Sequence, residues 1–268
     1  MLDRIKQRYR YSIILLRELV ITDFKLRYQS SFLGYLWSLL RPLALFVILY
    51  LVFGVFLPVG NKIPHYSVYL LLGILVWNYF GEVTNNGVGA IVGKGDLLRK
   101  LNFPKYVIIL AGSFSALINM ALTFIIFAIF FIANGVELRW SVLWLPVLIV
   151  ELFIFSISMA FLLGALFVKL RDINYIWEVF MQGAFYATPI IYIMTDIPKL
   201  AQKILILNPI AQIIQDMRYA AITERTMTIG MVYHNEWMRL VPITIVAAVA
   251  LISMLYFRAQ SKYFAEEV

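Results

Sequence analysis

The string Gly89-Ala90-Ile91-Val92-Gly93-Lys94-Gly95 is the nearest this chain comes to a phosphate cradle. A loop of the G-x-x-x-x-G-K-[ST] type wraps phosphates in backbone N–H groups and places a hydroxyl on Mg²⁺. Here the first glycine stands one residue too close, and Gly95 replaces the hydroxyl. An apolar run precedes the string instead of a strand, so it reads as a flexible exit from a helix, and no nucleotide should bind. The remaining chemistry-bearing side chains are sparse. His65 and His234 fall in loops, no HExxH pair or Ser/His/Asp set occurs, and the chain has 0 cysteines. Thiol catalysis, disulfides and cysteine metal sites are thereby excluded. Glu82 and Glu151 lie inside apolar runs, where a carboxylate is costly and therefore functional or paired. Two isolated carboxylates make no proton relay, so each is expected to face other helices and to pair with a polar neighbour such as Asn85 or Asn86.

The elements that position these residues follow from composition. Hydrophobic residues form 62% of the chain and charged ones 14%, against roughly 45–50% and 25% in soluble domains. The apolar residues lie in runs long enough to cross a bilayer. The expected architecture is an all-α membrane protein with six transmembrane helices in a single domain covering 1–268. The spans are 36–57, 66–92, 106–134, 141–168, 174–194 and 240–257, with Glu178 near the start of the fifth. The third holds no charge, and at about 1.5 Å per residue it reaches about 43 Å. Residues 1–30 form an amphipathic interface helix, since Ile5, Tyr9, Ile13, Leu16, Val20 and Phe24 recur at helical spacing. No secretory leader is expected, because Arg17 and Glu18 interrupt the first apolar stretch.

The segment 195–239 is too apolar for a linker. It suggests short amphipathic helices broken at Asn208-Pro209, because the residue before a proline disfavours helix. They would re-enter the membrane or cover it as an outer gate. Orientation follows from Lys and Arg: with both termini cytoplasmic, most of the 23 basic residues fall inside. This distribution accounts for the net charge of +8 without nucleic acid. Aromatic residues reach 16%, and they crowd spans one and five. Rings inside a pore would offer stacking faces to a sugar chain, whereas rings on the outside would face lipid; composition leaves both readings open.

Several local strings together resemble one family. Asp23-Phe24-Lys25-Leu26-Arg27-Tyr28, then Ser31-Phe32-Leu33-Gly34-Tyr35-Leu36-Trp37 and Arg41-Pro42, look like an interface helix, a Leu-Gly loop and the start of span one. Lys100-Leu101-Asn102-Phe103-Pro104 looks like a coupling segment. Lys169-Leu170-Arg171-Asp172-Ile173 looks like the turn before span five. Thr188-Pro189-Ile190-Ile191-Tyr192 and Asn208-Pro209 with Arg218 look like the end of span five and the gate helices. The set, which covers essentially the whole chain, resembles the membrane subunits of ABC-2 type exporters of lipid-linked polysaccharides, the O-antigen and teichoic-acid permeases.

The resemblance implies a homodimer with a channel at its interface, in the bacterial plasma (inner) membrane. Two copies of a separate ATP-binding subunit would supply ATP and Mg²⁺ chemistry. The chain itself would be no enzyme and would hold no cofactor or metal. The substrate would be a lipid-linked glycan, with membrane lipid as a further partner. The expected substrate path is Tyr35, Trp37, Tyr50, Phe185 and Tyr192. Arg27, Leu33, Gly34 and Arg41 would meet the lipid phosphate at the cytoplasmic mouth, since guanidinium forks grip phosphate oxygens. Lys94, Asp96, Arg99, Lys100, Arg171 and Asp172 would couple to the ATPase, and Asn208, Pro209 and Arg218 would belong to the outer gate. Rival readings are an ABC-2 exporter of a drug or small lipid, an ion-coupled flippase, which would need a carboxylate relay and often internal repeats, and an intramembrane glycosyltransferase, which would need clustered acids.

Overall fold

The computed structural model describes residues 2–28, 34, 36–57, 60–100 and 103–267; the side chains of residues 2–10, 24, 26–28, 61, 265 and 266 lie outside that description. Among the described residues all regular structure is helical. Five helices are long and apolar enough to cross a membrane: Leu36–Phe56, Tyr66–Gly93, Tyr106–Ala133, Trp140–Lys169 and Glu236–Gln260. We number the helices α1 (Leu2–Tyr28), α2 (Leu36–Tyr50), α3 (Tyr66–Gly93), α4 (Gly95–Lys100), α5 (Tyr106–Ala133), α6 (Leu145–Lys169), α7 (Ile173–Ala187), α8 (Lys199–Leu205), α9 (Pro209–Ala221), α10 (Ile229–Tyr233), α11 (Leu240–Gln260) and α12 (Phe264–Glu267). A π-helical stretch, Leu51–Phe56, continues α2.

α3 is the axis of the bundle. In its most apolar window 83% of residues are buried, against 11% for α2. It packs on α5, α6, α7 and α9, and α6 also packs on α11. Small residues set the α3–α6 separation. A Cβ on Gly87 would stand 2.5 Å from the Ala160 Cβ, and one on Gly164 would stand 2.7 Å from the Gly87 carbonyl oxygen. Backbone-to-backbone approach of this kind is how helices gain dispersion energy where lipid offers no hydrophobic contrast. α2 exposes Val47, Ile48, Leu51 and Val55, a face suited to lipid or to another helix.

The contacts fix the direction of each helix. Tyr66 at the start of α3 donates to the Ile191 carbonyl at 3.0 Å, and Ser141 before α6 donates to the Ala220 carbonyl at 2.6 Å. These residues share one end of the bundle with α9. Lys94, Lys105, Ser261 and Phe264 share the opposite end: the Lys105 ammonium donates to the Ser261 carbonyl and lies over the Phe264 ring.

Two expectations need correction. The stretch 174–194 is not one continuous helix. Its helix, α7, has 15 residues, about 22 Å at 1.5 Å per residue, short of the roughly 30 Å hydrocarbon core. It stops where Thr188 turns to extended backbone before Pro189. α1 has the extent its pattern suggests, but its packed face is rotated. Ser12 is buried and Leu15, Leu16 and Leu19 touch the core, whereas Ile13 is 63% exposed. The helix thus carries a protein-facing stripe on α5 beside an apolar strip left for the interface.

Between α7 and α11 the break at Asn208-Pro209 is present. The Asn208 side chain accepts from the Ile210 N–H at 3.1 Å, and Pro209 opens α9, a capped start with proline at its first position. α9 is buried over nearly its whole length against α3, α6 and α11. It is part of the bundle and not a flap lying on it.

Candidate functional site: a polar cavity and the clamp above it

A cavity of about 1200 Å³ opens between α2, α3, α5 and α7. From α3 come Asn78, Glu82, Asn85 and Asn86. Their spacing of four, three and one puts them on one helical face. From α7 come Asn174, Glu178 and Gln182, each one turn further along. α3 and α7 run antiparallel here: the Trp177 indole donates to the Thr84 hydroxyl at 3.2 Å, and the Trp77 and Phe185 rings meet edge-on at 5.8 Å. Two polar stripes on apolar helices therefore line one cavity. Asn119 of α5 donates to Glu82 Oε1 at 2.9 Å and orients that carboxylate. Apart from these amides and carboxylates the walls carry Trp37, Arg41, Trp77, Tyr79, Phe185 and Tyr186. Such a surface can exchange hydrogen bonds with hydroxyls through amides that both donate and accept and offer flat apolar faces beside them. Among the described residues no cluster of three metal-ligating acids, histidines or cysteines exists.

Where α7 stops, its unpaired backbone needs donors. Arg218 of α9 supplies them. It is fully buried; its Nε donates to the Tyr69 carbonyl at 3.0 Å, Nη1 to the Pro189 carbonyl at 2.6 Å and Nη2 to the Ile190 carbonyl at 2.7 Å. Its guanidinium carbon lies 3.4 Å from the centroid of the Tyr69 ring, a cation–π contact. A stack of Phe46, Tyr50, Tyr66 and Tyr69 leads from α2 to this point. The rigid five-donor fork of arginine suits three carbonyls at once, which a lysine could not reach. Nearby, Glu151 of α6 faces Gln212 and Asp216 of α9, and Gln212 donates to Asp216 at 2.7 Å.

At the opposite end the Lys94 ammonium reaches both oxygens of Asp23, at 2.9 and 3.0 Å. That pair joins α1 to the turn between α3 and α4. Arg99 pairs with Asp96 at 2.7 Å on the exposed face of α4. Lys100 and Asp172 are exposed, and Arg171 lies over the Phe167 ring.

The sequence-derived sites therefore separate into groups. Trp37, Arg41 and Phe185 line the cavity. Tyr50 lies in the aromatic stack below the clamp, and the Tyr192 hydroxyl donates to the Ala187 carbonyl at 2.8 Å beside the end of α7; neither belongs to the cavity wall. Tyr35, Leu33 and the Arg27 side chain lie outside the described residues, and Gly34 has positive φ of 46° in a turn before α2. Lys94, Asp96, Arg99 and Lys100 gather at one end with the α6–α7 turn of Arg171 and Asp172. Asn208, Pro209 and Arg218 lie on or at the start of α9, but only Arg218 reaches the end of α7. Glu178, in the second turn of α7, lines the cavity. The amides Asn78 and Gln182 belong to no motif in the sequence, although amides repeated at helical spacing in apolar segments signal a common face.

A polar cavity among apolar helices, with basic turns gathered at one end, is the arrangement of a membrane permease. Residues 14–222 match the ABC-2 type transporter family, and the chain belongs to it. It is a multi-pass, non-catalytic membrane subunit of the kind that works with a separate ATPase subunit. The chain is 30% identical over 217 residues to the O-antigen export system permease protein RfbA of Klebsiella pneumoniae, covering 80% of this chain and 83% of that one. It is 29% identical over 215 residues to the protein of the same name in Myxococcus xanthus, covering 80% and 82%. It is 23% identical over 203 residues to the polysialic acid transport protein KpsM of Escherichia coli, covering 75% and 79%.

Proposed function

We propose that this chain is the permease subunit of an ATP-driven exporter that carries a lipid-linked polysaccharide from the cytoplasmic side across the bacterial plasma membrane. The observation that carries the reading is the cavity lined by amides and rings within the membrane layer. The names of the relatives support it. An exporter of apolar drugs has no use for two polar stripes, which are expensive to keep in lipid. The end bearing Lys94 and Lys105 is cytoplasmic on the positive-inside rule, so both termini lie in the cytoplasm and α8–α10 face outward.

Two copies pair so that the exposed side of the cavity becomes a channel, and two ATPase subunits dock beneath α1, α4 and the Arg171–Asp172 turn. Arg41, in the cavity wall, meets the lipid phosphate together with Arg27, Leu33 and Gly34, and the rings of Trp37 and Phe185 stack on sugars. The Arg218 clamp holds the outer gate closed on α7 until transport opens it.

The test is reconstitution. The chain and its partner ATPase in proteoliposomes should move a fluorescent polyprenyl-diphosphate oligosaccharide across the bilayer only with ATP. ATP-dependent movement of a hydrophobic dye in place of the glycan would favour the drug-exporter reading. Movement driven by a proton or sodium gradient without ATP would favour the flippase.

A further inference from the structure

α4 has six residues, and a helix that short has no stability of its own. Something else must hold it. On the side before it, Lys94 pairs with Asp23 of α1. On the side after it, Lys105 opens α5. The Lys105 ammonium donates to the Ser261 carbonyl, just past α11, and lies over the Phe264 ring at 5.7 Å, within cation–π range. Phe264 begins α12. Among the described helices, α12 makes the most extensive contact with α4, and it also packs on α6.

α12 has four residues, so it too depends on what it docks against. Lys262, Tyr263 and Glu267 are exposed around it, whereas Phe264 is 0% exposed. The one inward ring is therefore the anchor. It meets Phe257 of α11 edge-on at 5.3 Å, and Phe257 meets Phe161 of α6 edge-on at 4.8 Å, the arrangement that ring quadrupoles favour. Leu98 of α4 and Phe103 belong to the same buried cluster as Phe257 and Phe264. A row of rings thus runs from α6 through α11 to α12 and ends beside α4. The Lys105 cation ties its last member to the segment that leaves α4.

We infer that Phe264, held by Lys105, is the positioning residue that braces α4 against α6 and α11. A push on α4 then passes into the bundle and is not absorbed by α4 moving alone. The inference rests on the reading of α4 as a helix that the ATPase pushes, and adds the element on which that helix is braced.

The chain has 0 cysteines, so single spin labels can be placed at will. Lys100→Cys puts one on the exposed face of α4, and Lys199→Cys puts one on α8 at the opposite end. Each is read in the full chain in nanodiscs before ATPase is added. Phe264→Leu keeps apolar bulk and loses the ring, and Lys105→Met loses the donor and the cation. In both, the mobile fraction of the label at 100 should grow at least about fivefold, the scale of a lost ring pair or cation–π contact. The label at 199 should keep its spectrum. In the unlabelled permease–ATPase complex, glycan moved per ATP hydrolysed should fall several-fold in both. Lys105→Arg, which keeps a donor and a cation, should restore both readouts. An unchanged label at 100, or a looser α4 with normal glycan per ATP, overturns the inference. Equal loosening at both labels, or loss of the folded protein in both variants, also overturns it, because Phe264 would then serve the core at large. An unaltered complex that hydrolyses ATP but moves no glycan overturns the polysaccharide reading alone, and the label at 100 still decides whether α4 is braced.

Discussion

Gly73 and Arg218 are matched by exclusion: a Cβ on Gly73 would stand 2.5 Å from Arg218 Nη2, so the missing side chain is the space in which the guanidinium lies. Gly73→Ala should push Arg218 off the Pro189 and Ile190 carbonyls. A buried acceptor left without its donor costs about 1–3 kcal/mol, and two are at stake. The melting temperature in nanodiscs should fall by several degrees, and protease should cut sooner after residue 187. Gly112→Ala in α5, where an added Cβ meets nothing within 4 Å, should leave both unchanged. Equal melting of the two variants would mean that the clamp contributes little.

Arg218→Lys keeps the charge and loses the fork. It should behave like Gly73→Ala and not like the unaltered chain, because one ammonium cannot serve carbonyls on α3 and on both residues after α7. Limited proteolysis of the 188–198 segment distinguishes the cases directly.

The Asp23–Lys94 pair is part-buried, with each side chain 26% exposed. Its worth to stability is on the order of 1 kcal/mol or less, but it is an ionic joint between α1 and the α3–α4 turn. Asp23→Asn or Lys94→Gln should leave expression and assembly with the ATPase near normal while lowering export per ATP hydrolysed several-fold. Exchanging the charges, Asp23→Lys with Lys94→Asp, should restore part of the loss. Normal export from all three variants would remove the joint from the coupling path; neutralising Asp96, Arg99 and Lys100 together tests the rest of α4.

Rings inside and outside the cavity should part company. Trp37→Ala and Phe185→Ala should slow export of long glycans with little change in melting temperature. Tyr50→Ala removes a member of the stack under the clamp, so it should lower stability by about 1–3 kcal/mol and affect export only through folding. Thermal unfolding and export measured on the same preparations decide each case.

How far the sequence could be read depended on which physical signal each feature leaves in one dimension. The long helices are legible because 28 residues without a charge, most of them apolar, as in α5, have no other stable state in lipid. The Asn208-Pro209 break is legible because proline acts locally. α7 was less so. An apolar run through Thr188-Pro189-Ile190-Ile191 has the length of a span, and it is donors distant in sequence, Arg218, 28 residues beyond Ile190, and Tyr66, that make extended backbone tolerable there. The rotated face of α1 was hidden because two adjacent apolar stripes give one broad periodicity. The cavity was half visible: Glu82 drew attention as a charge and Asn85 and Asn86 as its neighbours, while Asn78 and Gln182, which share the helical spacing, did not.

One consequence of the short α7 concerns how the bundle can move. Its first turn contributes Asn174 to the cavity wall, and the Pro189 and Ile190 carbonyls just past its end are held by the same guanidinium that holds α3. The helix is thus a strut fixed at its far end by a single three-pronged joint. A slide of α7 cannot stretch one prong and spare the others, because the guanidinium is planar and stiff. The joint holds until it lets go as a unit. Displacement at the Asn174 end would be stored as tension and released at the clamped end in one step, so this half of the bundle behaves as a catch with a threshold.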